Sequence, residues 1–200
     1  MDVSTHSSVT TERLTLERWS ALDEDVQGEL VDGALVEEEV PSTVHEILVA
    51  WLVALLQGWR PSKRVLVLGS GLKLGISAAR GRIPDAVVYL ADAPRPPREG
   101  AARVPPSIVV EVVSRTARDG RRDRVEKLGE YAGFGIKWYW LVDPELRSFE
   151  ILELAPDGRY VHAVAATEGR LDAVPGCPGL VLDLDAAWAE VDAFLRDSEG

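Results

Sequence analysis

Two acidic residues stand where acidic side chains are rare, beside or inside runs of branched apolar residues. Asp85 follows Pro84 and precedes the apolar residues 86–90, and Glu111 lies within the apolar residues 107–113. A carboxylate in a central strand needs a metal ion, a cation or a proton as its partner. If the two strands pair, both carboxylates converge on one point. Such oxygen ligands suit magnesium, with manganese as a substitute, and a bound ion lowers the pKa of a water and offsets charge on a phosphoryl oxygen.

A lysine occurs on the element that follows the second acid. The apolar pattern predicts a helix over residues 122–132, in which positions 124, 127, 128 and 131 share one side. Leu128 would anchor this side against a sheet while Lys127 leans toward the acids. An ammonium group in this position would orient the attacking water or support the transition state. Asp85, Glu111 and Lys127 are therefore the candidate catalytic set.

Each acid also has a purely structural interpretation, and the sequence leaves both open. Asp85 is alternatively a turn or strand-entrance residue, since aspartate commonly bonds to nearby backbone. Glu111 alternatively faces solvent at a sheet edge or pairs with Arg122 or Arg124. His45 is interpreted as a capping or packing residue, because the three histidines of the chain are too few for a zinc cage. Metal-free hydrolysis by the carboxylate pair, as in sugar-cleaving enzymes, is a further alternative.

The segment around the predicted helix is basic, although the chain as a whole is acidic. A formal net charge of −11 argues against broad attraction to nucleic acid or to an anionic membrane, so any contact with DNA must come from a local patch. Residues 115–127 carry six cations and three acids, a local charge of +3. Beside Glu111 they would contact phosphates, and a solvated helix with internal charge pairs is the equal alternative. The predicted contacts are Arg115, Arg118, Arg121, Arg122 and Arg124, to which Arg60, Lys63 and Arg64 would add if the fold brings them near.

The elements that must position these residues follow from periodicity and turn residues. A hairpin is predicted around Asp32-Gly33, because this pair readily adopts the positive φ of a tight turn. Thr43 and Glu46 have capping-box spacing at the start of an amphipathic helix. Further predictions are a strand pair of residues 65–68 and 72–76, a strand at 137–142, a hairpin of 148–154 with 160–165, and a strand at 180–184. Asp185 would then cap a last helix that covers a sheet face or joins a homodimer.

Composition is that of an ordinary globular protein. The 200 residues are 46% hydrophobic and 28% charged, which fits one domain over residues 1–200. Residues 1–11 contain neither a basic region nor an apolar segment, so neither export nor membrane spanning is expected and a cytoplasmic location is predicted. The single cysteine, Cys177, excludes an internal disulfide and any multi-thiolate metal site, and is expected to be structural.

Several short motifs, taken in order, resemble one known family. They are Glu29-Leu30-Val31-Asp32-Gly33, Pro41-Ser42-x-x-His45, Pro84-Asp85, Glu111-Val112-Val113-Ser114, residues 122–128, Tyr131 and Tyr139-Trp140-Leu141-Val142-Asp143. Together they cover residues 14–154 and resemble the Uma-type putative restriction endonuclease family of the PD-(D/E)xK phosphodiesterase superfamily. The resemblance implies a magnesium-dependent nuclease-like core with Asp85 and Glu111 as metal ligands and Glu29 as an accessory acid.

The chain departs from the basic pattern of that superfamily at one position. In the pattern a lysine follows the acid by two residues, and here Val113 occupies that place. Similar sequences carry a lysine in the helix instead, which makes Lys127 the candidate replacement. A binding module that kept the fold and lost turnover, whether its partner is nucleic acid or protein, is the alternative function.

The sequence therefore predicts an α/β fold of restriction-endonuclease-like type. It consists of a mixed β-sheet flanked by helices, with an N-terminal hairpin and a C-terminal antiparallel extension. The nuclease-like core spans about residues 14–154, and strands and a helix fill residues 155–197. The predicted function is magnesium-dependent hydrolysis of phosphodiester bonds in DNA by an endonuclease.

Overall fold

The computed structural model describes residues 13–23, 26, 28–37, 40–114 and 121–198. The helices are α1 (Leu16–Ser20), α2 (Thr43–Trp59), α3 (Lys127–Phe134) and α4 (Leu184–Ser198), and a π-helical segment, Arg122–Glu126, directly precedes α3. The strands are β1 (Glu29–Val31), β2 (Ala34–Val36), β3 (Leu66–Leu68), β4 (Leu74–Ser77), β5 (Arg80–Arg82), β6 (Ala86–Tyr89), β7 (Ile108–Val112), β8 (Trp138–Asp143), β9 (Ser148–Leu154), β10 (Tyr160–Ala166), β11 (Arg170–Leu171) and β12 (Leu182–Asp183).

A six-stranded mixed sheet forms the centre of the described fold. Its order is β10-β9-β8-β7-β6-β3, in which β7 and β8 are parallel and the other neighbours are antiparallel. All residues of β6 and β7 are buried, as expected for central strands that read as continuous branched apolar runs. The crossover between the parallel strands contains the π-helical segment and α3. The predicted mixed sheet and its C-terminal antiparallel extension are confirmed.

Helices cover both faces of this sheet. On one face, α2 and α4 pack on the residues of one parity, among them Val110 and Val112 of β7. On the other face, Tyr131 of α3 packs with residues of the opposite parity, such as Val109. This alternation follows from the two-residue period of a strand. A side chain of β7 therefore faces α3 when its number is odd, and Glu111 is odd-numbered.

A smaller antiparallel sheet lies beside the large one. Its order is β2-β1-β5-β4. Leu16 and Trp19 of α1 pack with Leu30 of β1 in a small hydrophobic cluster separate from the cores of the large sheet. The predicted N-terminal hairpin is confirmed, with φ of +50° at Asp32 and +80° at Gly33. These angles are those of the tight turn that such a pair favours.

The predicted strand pair of residues 65–68 and 72–76 is wrong. β3 pairs with β6 in the large sheet, whereas β4 pairs with β5 in the small one. Val67 of β3 is buried in the core between the large sheet and α2, whereas Leu74 of β4 is buried in the core on the α3 side. The two segments therefore pack in different parts of the fold. Gly71, with φ of +105°, lies at the turn between them.

Two helix starts differ from the predictions by one or two residues. Ser42 rather than Thr43 caps α2, because its Oγ accepts from the backbone N–H of His45 at 3.2 Å. Asp183 rather than Asp185 accepts from the first turn of α4, through the N–H of Ala186 at 3.0 Å. In both cases the side-chain oxygen that accepts from the first turn belongs to a residue one or two positions before the predicted cap.

The helix predicted over residues 122–132 is present with a different first turn. It begins as the π-helical segment and continues as α3 to Phe134. α4 covers a face of the large sheet, and its role in a homodimer stays a prediction. Within the described ranges, none of the helices combines the length and apolar character needed to cross a bilayer.

Candidate active site

The two candidate acids lie at one end of the β6–β7 ladder. Ala86 of β6 pairs with Val110 of β7, and Asp85 directly precedes Ala86 while Glu111 directly follows Val110. The charge of Asp85 helps to raise the pKa of Glu111, so the two carboxylates are close enough to interact. Glu111 lies on the α3 side, where its Oε1 accepts a hydrogen bond of 2.5 Å from the Tyr131 hydroxyl.

Asp85 is held by contacts different from those of Glu111. Its Oδ2 accepts from the backbone N–H of Val112 at 2.7 Å and lies 3.2 Å from Nε2 of His45 on α2. The side chain of Asp85 is 18% exposed, whereas that of Glu111 is 4% exposed. Asp85 is thus the acid that solvent and a substrate reach more easily.

Lys127 lies at the centre of a buried group of acids. Its Nζ is 3.0 Å from Glu111 Oε1, 3.1 Å from Asp123 Oδ1 and 3.6 Å from Glu29 Oε1. Lys127 opens α3, and Asp123 precedes it by four residues in the π-helical segment, so both side chains turn toward the sheet. We call Glu29, Glu111, Asp123 and Lys127 the lysine cluster.

Burial and mutual charge decide the protonation of the lysine cluster. Burial raises the pKa of Glu111 well above its usual value, and the charges of Asp123 and Asp85 add to this against the opposing effect of Lys127. Burial likewise raises the pKa of Asp123. Burial alone would lower the pKa of Lys127, but the surrounding acids outweigh it and the net shift is upward. Lys127 is therefore a charged hydrogen-bond donor at neutral pH.

Glu29 connects the lysine cluster to the small sheet. Its Oε1 accepts from the backbone N–H of Ile83 at 3.2 Å, and its Oε2 accepts from the fully buried Arg82 of β5. Arg82 also donates from Nε and Nη2 to Glu130 of α3, at 2.6 and 2.8 Å. Burial raises the pKa of Glu29, but the charges of Lys127 and Arg82 prevail and the net shift is downward. Glu29 is thus an ionised partner of two cations.

The carboxylates of Asp85 and Glu111 have the oxygen donors that magnesium prefers. In the described part of the chain, no group of three or more His, Cys, Asp or Glu side chains has an arrangement suited to a metal ion. The described residues donate hydrogen bonds to only one oxygen of Asp85 and one oxygen of Glu111. Magnesium binds through one or two carboxylates and keeps several waters. The donor chemistry of these two carboxylates therefore suits magnesium, although the described residues do not form a complete protein cage.

The predicted basic patch is described only in part. Arg115 and Arg118 lie outside the described residues. Arg121 is exposed just before the π-helical segment, and Arg122 is half-buried within it.

The remaining member of the patch, Arg124, is paired with acids. It donates to Asp143 at 3.1 Å and also to Glu150, so its charge is largely offset. The described contacts exclude the predicted alternative in which Glu111 pairs with Arg124.

The second set of cations lies at the far end of α2. Arg60, Lys63 and Arg64 are exposed after its last residue, where Arg95 donates to the carbonyl of Arg64. α2 has 17 residues. His45 lies near its first residue and Arg60 just beyond its last, so the helix separates them by roughly 22 Å at about 1.5 Å per residue.

Several residues of the site were missed or misinterpreted from the sequence. His45 was expected to cap or pack, yet its ring contacts Asp85 across 40 positions. Tyr131, which the sequence marked only as part of a motif, is buried in the core and its hydroxyl bonds to Glu111. Asp123 was counted as a counter-charge, although its i, i+4 spacing from Lys127 was a usable signal. Arg82 gave no signal, because nothing in a short strand predicts a buried ion pair with Glu29.

The comparisons with known proteins agree with this fold. Residues 13–185 match a family model, Uma2, described as a putative restriction endonuclease. The structure resembles the crystal structure of a putative nuclease belonging to DUF820 from Anabaena variabilis, with a TM-score of 0.68 and 14% identity over 89% of this chain and 99% of that chain. At this identity the likeness shows the fold alone. No curated protein matches the chain. The family match confirms the resemblance found in the motifs.

Proposed function

Because the chain belongs to the Uma2 family of putative restriction endonucleases, we propose that it is a magnesium-dependent DNA endonuclease with Asp85, Glu111 and Lys127 in its active site. The observation that supports this best is the position of Asp85 directly before β6, the neighbour of the strand that carries Glu111, together with the contact of Glu111 with a buried ammonium group. In the proposal both carboxylates bind the ion, and manganese substitutes for magnesium.

The surroundings of Val113 support Lys127 as the replacement lysine. Val113 follows Glu111 by two residues, so a lysine at that position would project from the same face of the strand. Val113 is instead buried with Tyr131 and Tyr139 on the α3 side. Lys127 reaches Glu111 from α3 on that same side. Glu111 thus has an ammonium group beside it, supplied by position 127 in the helix and not by position 113 in the strand.

Each residue of the proposed site has a distinct role. The chemistry supplied by magnesium at such a pair is a bound water of lowered pKa and compensation of charge on a phosphoryl oxygen. Lys127 acts as a donor, because the acids around it raise its pKa, and it assists the attacking water. Tyr131 fixes the rotamer of Glu111 through its hydroxyl. Glu29 is an accessory acid that keeps Lys127 charged and in place.

In the proposal, DNA contacts the protein through phosphates near the π-helical segment. Arg115, Arg118, Arg121 and Arg122 supply this contact, and Arg124 contributes less because Asp143 and Glu150 offset its charge. Phosphate contacts of this kind fix the position of a duplex without reading its sequence.

A plasmid-nicking assay tests the proposal. Purified protein should convert supercoiled plasmid to nicked or linear DNA with magnesium, and a chelator should stop the reaction. Asp85→Asn and Glu111→Gln keep size and remove charge, and each should lower the rate by 100-fold or more, roughly the loss expected for a group that binds the metal. Asp157→Asn, an exposed acid in the β9–β10 turn, is the matched control and should retain the rate.

Two results would overturn the assignment of this site. Full activity in either Asp85→Asn or Glu111→Gln would show that the pair does not carry the reaction. Cleavage that survives the chelator but requires both acids would indicate the metal-free carboxylate mechanism.

A binding module that lost turnover is the second candidate, and one observation favours it. Lys127 already neutralises the charge of Glu111, so a metal ion bound to Glu111 would be partly redundant. DNA binding without detectable manganese binding or cleavage would establish this alternative. Protein-bound manganese measured by electron paramagnetic resonance separates the two candidates directly.

A further inference from the structure

His45 is a buried ring placed between two carboxylates. Its Nε2 lies 3.2 Å from Asp85 Oδ2, and its Nδ1 lies 3.3 Å from Glu46 Oε1. The side chain of His45 is 7% exposed, whereas that of Glu46 is 60% exposed. The contact with Asp85 is therefore the sheltered one, and the contact with Glu46 is open to solvent and worth little.

The backbone around His45 is held by contacts other than the one between its ring and Asp85. Ser42 caps α2 and accepts from the N–H of His45 itself, so His45 occupies the first turn of a 17-residue helix. The helix packs Leu48 and Leu52 into the core on the face of the sheet opposite α3. The ring is thus presented to Asp85 by a rigid element.

The two contacts of Asp85 come from different layers and reach the same oxygen. The N–H of Val112 approaches Oδ2 from the neighbouring strand, and His45 approaches it from α2. Together they hold Oδ2 and leave Oδ1 without a hydrogen bond from the described residues. A ligating carboxylate is commonly oriented in this way by hydrogen bonds to its other oxygen.

We infer that His45 is a positioning residue that fixes the rotamer of Asp85, so that one oxygen is held by protein and the other is presented for binding. The inference deepens the proposed function and depends on it only for the nature of the bound ion. The contact between the ring and Asp85, and its effect on the Val112 amide, exist with or without an ion. A packing role alone would need the volume of the ring and not its N–H donor.

Two substitutions of His45, a reference variant of Asp85, a control at His162 and two measurements test this role. His45→Leu fills similar space without a donor, and His45→Gln keeps a donor at a similar reach. The first measurement is hydrogen exchange of the Val112 amide in metal-free protein, followed by nuclear magnetic resonance, with Asp85→Ala setting the rate for a lost acceptor. The second is the dissociation constant for manganese, measured by electron paramagnetic resonance.

His45→Leu should speed exchange of the Val112 amide about tenfold, because a mobile Asp85 accepts this hydrogen bond less of the time. It should also weaken manganese binding by roughly 10-fold or more, as loss of a group behind a ligand commonly does. His45→Gln should restore most of both values. His162→Leu is the matched control, since His162 lies 3.5 Å from Glu150 in an exposed strand far from Asp85 in sequence, and it should change neither.

The outcomes separate this inference from the proposed function. Unchanged exchange of Val112 in His45→Leu, or equal effects of Leu and Gln at this position, would overturn the positioning role. If the unaltered protein binds no manganese, the metal-dependent function fails, and the Val112 amide in metal-free protein still decides the role of His45.

Discussion

At the scale of single residues, the distinctive feature is an ammonium group enclosed by three acids. The Lys127 side chain is 3% exposed, and the Glu111, Asp123 and Glu29 side chains around it are no more than 6% exposed. Removing water from these charges is costly, and their mutual attraction offsets that cost only while all partners are present. The same enclosure that keeps Lys127 charged also makes the fold depend on it.

Lys127→Met should therefore destabilise the protein strongly. The buried acids lose their shared cation, and we expect a loss of about 3–5 kcal/mol in the free energy of unfolding, measured by urea titration. Lys137→Met removes an exposed lysine 2.8 Å from Glu153 and should cost less than about 1 kcal/mol. A loss of stability in Lys127→Met as small as that in Lys137→Met would contradict the burial of Lys127 among the three acids.

The pH dependence of that loss has a defined sign. Burial raises the pKa values of Glu111 and Asp123, so in the folded protein these groups take up protons at higher pH than in the unfolded chain. Protonation removes the buried negative charges that Lys127→Met leaves without a cation. The loss of stability in the variant should thus be largest at neutral pH and should shrink as pH falls. Urea titrations of both proteins across the acidic range measure this trend.

Cys177 offers a second test at the residue scale. Its thiol is fully buried, and burial raises its pKa to about 12. The folded protein should not react with an aromatic disulfide reagent at about pH 8, whereas the chain in guanidinium should react with one equivalent. Rapid labelling of the folded protein would contradict the burial of Cys177.

At the scale of elements, the site depends on how the small sheet meets α3. Arg82 of β5 holds Glu29 of β1 and Glu130 of α3, so one guanidinium joins three elements around the lysine cluster. The small sheet is in turn fixed by α1, whose Trp19 donates from its indole to the Gly28 carbonyl at 2.9 Å. A displacement of α1 would thus move β5, and with it the Arg82 side chain that contacts Glu29 of the lysine cluster.

Gly81→Ala tests this packing. A Cβ at Gly81 would lie 2.3–2.7 Å from three ring atoms of Trp19, which is fully buried. We expect a loss of about 1–3 kcal/mol in the free energy of unfolding from overpacking. Gly129→Ala in the middle of α3 meets no atom within 4 Å and should instead stabilise the protein by about 0.5–1 kcal/mol. Equal effects of the two substitutions would contradict the close approach of α1 to β5.

At the scale of the whole molecule, charge distribution decides where the proposed contact with DNA would form. The chain carries a net charge of −11, so most of its surface repels a phosphate backbone. Among the described residues, the predicted phosphate contacts that are exposed lie in two regions, one at Arg121 beside the site and one at Arg60 beyond the far end of α2. Only the first adjoins the acids that would act on a phosphodiester.

Single substitutions in the two regions distinguish their roles. Arg121→Gln should lower the affinity for a DNA duplex and reduce the slope of log affinity against log salt by about 1, the change expected for one lost phosphate contact. Arg60→Gln removes the same charge at the far end and should leave the slope unchanged. Fluorescence anisotropy of a labelled duplex in chelator measures both, and the reverse ranking would place the DNA on the other region.

The sequence by itself determined the central strands and the hairpins. Alternation, continuous apolar runs and the Asp32-Gly33 turn are local signals, and they sufficed for β6, β7 and the hairpins. The same runs placed Glu111 within β7 and Asp85 directly before β6. Local periodicity reports which face of an element is buried, and that is what the sequence encodes most directly.

Only the tertiary structure decided which groups meet. The contact of His45 with Asp85, the burial of Arg82 between Glu29 and Glu130, and the separation of β3 from β4 all join residues through pairings that are distant in the chain. Such pairings depend on the order of strands in the sheets and on the layers packed against them. No local pattern encodes strand order, because many orders bury the same apolar faces.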